Sequence, residues 1–114
     1  VNLKLSDIKQ PLSNEDIAEL ITRRRRQILV HSVLYYRMDT NIIDDHTFDL
    51  WSYELVDLQN KYPDIAAKCE RHEDFKDFDG STGAFLPTHE PDVISSAERL
   101  LNAVRYLKKR GQIS

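Results

Sequence analysis

The apolar residues of this chain recur at helical spacing rather than strand spacing. Ile17, Leu20, Ile21, Ile28 and Leu29 begin a series that continues to Met38 and predicts a first helix over about 14–38. Ser13 and Asp16 have the spacing of a capping box, with aspartate in place of the usual glutamate. Asp39, Thr40 and Asn41 are turn formers, because such side chains bond their own backbone. Asp44 or Asp45 then caps a second helix. Its apolar face is Phe48, Trp51, Leu55, Leu58 and Tyr62, in steps of three, four, three and four, the cleanest periodicity in the chain.

Pro63 starts a short further helical turn. Most loop signals gather in 72–91, and a last helix is predicted from about Asp92 to Arg110. There Val93, Ala97, Leu100, Val104 and Leu107 point inward, basic residues fill the final turn and Gly111 follows it. The expected architecture is a small all-α domain over 13–114: a helix–turn–helix hairpin, a long loop and a C-terminal helix. Residues 1–12 read as an N-terminal arm.

Composition narrows the functions. The 114 residues are 40% hydrophobic and 31% charged, as in an ordinary globular domain. Net charge is −3, which argues against a dedicated nucleic-acid binder. A single cysteine rules out an internal disulfide framework. With no long apolar run and no signal-peptide pattern, the expectation is a cytoplasmic protein with no membrane partner.

Four features invite a chemical reading. The run Arg23 to Arg26 spreads around a helix, so it reads as a solvated surface paired with acids, with an anion contact by one or two arginines as the alternative. Cys69 and His72 have metal-ligand spacing, but no second paired motif completes a zinc site, so no metal is expected. DFDGSTGAFLP, residues 77–87, is either an anion-wrapping loop around Gly80–Gly83 or a surface loop that Phe78 and Phe85 tack onto the core.

The fourth is YYRMDTNIIDDHTFD, residues 35–49, which sets aromatic rings beside aspartates at a helix–turn–helix junction. Asp45 and Asp49 share a helix face, and Tyr35 and Tyr36 approach it from the preceding helix. A cationic planar ring would gain from an aromatic face and nearby carboxylates. Acids at a helix N-terminus are also ordinary capping chemistry, and spacing alone favours that reading.

These residues also carry a family resemblance. Tyr35-Tyr36-Arg37-Met38-Asp39 followed by Ile43-Asp44-Asp45-His46-Thr47-Phe48-Asp49 resembles the N-terminal domain Ia of bacterial NAD-dependent DNA ligases, as does the ending Leu55, Leu58, Tyr62, Pro63. The likeness covers about 14–65. It implies that Tyr35, Tyr36, Asp45, Phe48 and Asp49 face the nicotinamide and ribose half of NAD or nicotinamide mononucleotide, with Arg24, Arg37 or the 80–83 loop as phosphate contacts. Phe48 departs from the family's tyrosine and loses a phenolic hydrogen bond. The lysine nucleophile of a ligase, in its K-x-D-G setting, is not among these residues. The expected function is therefore a non-catalytic accessory protein, of bacteriophage or prophage type, that binds a nicotinamide nucleotide. The alternative is a module that binds a host ligase, nuclease or defence protein, with a vestigial nucleotide pocket. Oligomeric state stays open, since Trp51 and several tyrosines would suit self-pairing.

Overall fold

The computed structural model describes residues 12–81 and 85–111; the expected arm, apart from Leu12, and Gly83 of the glycine loop lie outside them. The described residues hold five helices and no strand. They are α1 (Asn14–Arg37), α2 (Asp45–Lys61), α3 (Pro63–Lys68), α4 (His72–Phe75) and α5 (Pro91–Lys109). The all-α expectation holds, and no helix is long and apolar enough to cross a membrane.

Each long helix starts where its capping chemistry places it. Ser13 Oγ accepts from the Asp16 N–H while the Asp16 carboxylate accepts from the Ser13 N–H, completing the box ahead of α1. Asp44 rather than Asp45 caps α2: its carboxylate accepts from the Thr47 N–H at 2.7 Å. Pro63 stands at the first position of α3 and Pro91 at that of α5, where a missing N–H costs nothing. Between α1 and α2 the chain reverses at Asp39, whose φ of 48° is one that aspartate tolerates. The Thr40 N–H reaches back to the Leu34 carbonyl at 3.0 Å and fixes the turn.

The central element is α1, which packs against both α2 and α5. Its Ile21, Ile28, Val33 and Leu34 meet Leu55 and Leu58 of α2 and Val93 and Ala97 of α5 in one fully buried core. Trp51 is part of that core at 8% exposure, so it is not available for self-pairing. On α5 the buried stripe advances in steps of four, through Val93, Ala97 and Leu101. Leu101 thus replaces the expected Leu100 at the centre, while Leu100, Val104 and Leu107 are half-buried.

Two expectations need correction. The arginine run is not a solvated surface throughout: Arg24 and Arg25 are 3% and 1% exposed. The Arg25 guanidinium donates to Gln59 Oε1 at 2.9 Å and to the carbonyls of Ala66, Cys69 and Glu70 at 3.1, 3.2 and 2.8 Å. Those carbonyls lie at and just beyond the end of α3, where a helix leaves acceptors without internal partners. One buried cation thereby ties α1 to α2 and to the α3 exit. Arg23, paired with Glu19, and Arg26, bonded to Ser96, do remain exposed.

Nor is 72–91 merely loop. It contains α4, and Phe75, Phe78, Leu86 and Thr88 are buried. Phe78 is tacked to the core as expected, but Phe85 is 57% exposed. Arg71, at φ 67°, pairs with Asp74, Glu90 and Asp92, joining the start of α4 to the start of α5.

Candidate functional site

The tight reversal at Asp39 brings the last turns of α1 beside the first turns of α2. Between them lies a pocket of about 290 Å³, at the lower edge of the range for small-molecule sites. α1 contributes His31, Ser32, Tyr35 and Tyr36; the connection contributes Asn41, Ile43 and Asp44; α2 contributes Asp45, Phe48 and Asp49. Ser81, from the segment beyond α4, completes the lining. All five residues singled out in the sequence, Tyr35, Tyr36, Asp45, Phe48 and Asp49, therefore border one cavity.

Its walls are aromatic and acidic. Tyr35 and Tyr36 meet edge to face, with ring centroids 4.8 Å apart at 83°. Both are about half exposed, at 55% and 46%. Phe48 is half-buried and packs against the core beneath. Among the described residues, three carboxylates, of Asp44, Asp45 and Asp49, line the pocket, and no lysine or arginine does. Asp44 is engaged as the α2 cap, and its hydrogen bonds with Thr47 hold its carboxyl below the usual range. Asp45 and Asp49 stand one helical turn apart on the exposed surface.

The candidate phosphate contacts are placed differently. Arg24 is buried, donating to Gln27 at 2.6 Å and pairing with Glu54 at 3.4 Å, and it does not line the cavity. Arg37 is exposed on the last turn of α1 and is not a lining residue either. From the glycine loop, Gly80 is buried and close-packed: a Cβ there would come within 3.3 Å of the Tyr53 ring. Ser81 reaches the cavity, with its N–H and hydroxyl both donated to Asp79 Oδ1. At the Cys69–His72 pair, the thiol donates to the carbonyl of Ile65 at 3.3 Å, and no group of three metal-binding side chains occurs among the described residues.

Two lining residues escaped the sequence reading. His31 and Ser32 are 9% and 0% exposed, and His31 Nδ1 and Ser32 Oγ have no hydrogen-bond partner in the protein. The His31 ring packs on Trp51 with centroids 5.3 Å apart, and burial lowers its pKa, favouring the neutral ring. Both sit within an apolar run of α1, where a lone histidine or serine looks like core filling. The signal was their distance from Tyr35: His31 stands four residues before it, on the same helix face.

The described fold is thus an all-α hairpin carrying an aromatic, acidic pocket at its turn. Residues 14–68 match the family described as the DNA ligase-like, N-terminal NAD+-binding domain, so this segment is similar to that domain. The DNA ligase of Pseudothermotoga lettingae is 37% identical over 51 residues, which are 45% of this chain and 8% of that ligase. The DNA ligase of Geobacter sulfurreducens is 36% identical over 56 residues, 49% of this chain and 8% of its own length. That of Flavobacterium johnsoniae is 38% identical over 50 residues, again 8% of its length. The chain thus spans about 8% of the ligases it matches. No solved structure gives a significant match.

Proposed function

We propose that the protein is a non-catalytic module that binds the nicotinamide and ribose half of NAD or nicotinamide mononucleotide in the pocket between α1 and α2. The observation that carries this reading is the convergence of Tyr35, Tyr36, Asp45, Phe48 and Asp49 on one cavity, inside the segment similar to a NAD+-binding domain. A pyridinium ring is flat and cationic. It gains from contact with the tyrosine faces and from the field of Asp45 and Asp49. The aspartates also supply acceptors for ribose hydroxyls, which are donors.

No chemistry is assigned to the pocket. Its carboxylates complement a cation, and no cysteine or lysine stands among the described lining residues. In this reading affinity rests on the ring and sugar. Calorimetric titration with nicotinamide mononucleotide tests the proposal. Saturable one-to-one binding, weakened in Asp45→Ala and Tyr35→Ala, is expected. Absence of heat at about 1 mM ligand would sink it.

A second reading, docking to a host protein, is favoured by Leu50 and Tyr53, exposed at 42% and 62% on neighbouring positions of α2. An accessory role in phage replication or anti-defence would act through such a surface. If so, Leu50→Glu with Tyr53→Glu abolishes co-purification of a stoichiometric partner while leaving nucleotide binding intact. Co-purification that survives both changes would exclude this face.

A further inference from the structure

A buried polar atom without a partner is an expensive thing to keep, and two belong to residues that line this cavity. Ser32 Oγ and His31 Nδ1 sit on adjacent residues of α1, nine-tenths or more buried, and neither finds a hydrogen bond among the described residues. Leaving such a group unsatisfied costs about 1–3 kcal/mol. Among the described residues four other side-chain atoms share this condition, Arg24 Nε, Ser52 Oγ, Glu54 Oε1 and His72 Nδ1, but their residues do not line the pocket. Around the buried pair the described lining offers three carboxylates and no lysine or arginine.

We propose that His31 and Ser32 are specificity-determining residues, which read the carboxamide of a nicotinamide-type ligand and select it over the corresponding carboxylate. This rests on the reading of the pocket as a nicotinamide site. A carboxamide carries two N–H donors and one carbonyl acceptor. A serine hydroxyl accepts from one N–H and donates to the carbonyl, and the Nδ1 of a neutral histidine protonated at Nε2 accepts the remaining N–H. The amide therefore satisfies both orphaned atoms at once. A carboxylate offers acceptors alone, so it leaves His31 Nδ1 unpaired in the tautomer that reads the amide, with the proton on Nε2. It would also bring a negative charge beside Asp44, Asp45 and Asp49, with no lysine or arginine among the described lining residues to balance it. A site built to hydrogen-bond a particular group rejects the analogue lacking it far more strongly than an apolar pocket does.

Nicotinamide mononucleotide and nicotinic acid mononucleotide differ only in this group, so their titration into the full chain by calorimetry isolates it. The amide form is expected to bind at least about tenfold more tightly. Ser32→Ala should cost the amide form, which uses the hydroxyl as both acceptor and donor, about three- to tenfold in affinity, and the acid form, which uses it as donor alone, less, so the ratio narrows. His31→Gln, which keeps a side-chain acceptor, should retain more of the preference than Ser32→Ala. The melting temperature of Ser32→Ala should not fall, because the substitution removes an unsatisfied hydroxyl rather than a bond. Equal binding of the two mononucleotides, or an unchanged ratio in Ser32→Ala, would overturn the inference and leave the nicotinamide site standing. Binding of neither would overturn both.

Discussion

Two stretches of the same helix treat buried polarity in opposite ways. In the middle of α1, Arg25 is buried to 1% exposure and bonded through every nitrogen of its guanidinium, to Gln59 and to three main-chain carbonyls. Less than two turns further on, His31 and Ser32 are nearly as buried, yet each keeps an atom with no partner. Arg24 and Trp51 link the two regions: the guanidinium carbon lies 5.6 Å from the indole centroid, and the other side of the contact chain is the His31 ring. Burial alone does not separate structure from function here. The destination of the hydrogen bonds does: a saturated group is part of the scaffold, and an unsaturated one on a cavity-lining residue is where the proposed ligand would be read.

The comparison breaks most visibly at Arg25. Arg25→Ala leaves the Gln59 amide oxygen and the carbonyls beyond α3 without their donor, and should lower the unfolding free energy in urea by about 3 kcal/mol. A loss below about 1 kcal/mol would show that the guanidinium is not the bolt it resembles. At the open end the same kind of deletion acts on binding instead. Asp49→Asn should reduce affinity for nicotinamide mononucleotide by about tenfold or more while moving the urea midpoint little, since Asp49 is exposed.

The arginine run also shows what the sequence could not reveal. Helical spacing correctly says that four consecutive residues point in four directions, but not which of those directions meet protein. Arg25 is buried because Gln59, Ala66, Cys69 and Glu70, distant in sequence, supply acceptors together. The hairpin was legible because its information is local: capping pairs at Ser13 and Asp44, a turn at Asp39, and one apolar stripe on α2. The rim of the candidate site was legible for the same reason, since Tyr35, Tyr36, Asp45, Phe48 and Asp49 lie within one short segment. Its floor was not. His31 and Ser32 differ from core residues only in lacking partners, and that requires the fold. Ser81 enters from a separate segment whose path depends on α4 and the Arg71 ion pairs.

The cap at the pocket rim has a smaller effect. Asp44→Ala should lower the urea midpoint by less than Arg25→Ala does, by freeing the Thr47 N–H. Acid then separates cap from floor. His31 has a folded-state pKa below its ordinary value of 6.5, so its neutral form is favoured by folding. That contribution is fully present above 6.5 and is lost as pH falls through the lower folded value. Asp44 is also lowered, from 3.8, so the cap's contribution is present above 3.8 and lost only at more acidic pH. A decline in melting temperature that sets in as pH falls below about 6.5 should therefore belong to His31 and flatten in His31→Gln. An identical decline in that variant would assign it elsewhere. The smallest change is Phe48→Tyr, which returns the phenol found in the ligase domain and should tighten binding by about two- to fivefold.

All of this turns on whether the turn between α1 and α2 is a ligand site. Calorimetric titration of nicotinamide mononucleotide into the wild-type chain and into Asp45→Asn/Asp49→Asn measures it directly. The predicted result is saturable one-to-one binding in the wild type that disappears in the double variant while the melting temperature holds. Binding that survives loss of both carboxylates, or no binding to the wild type at all, would contradict the account.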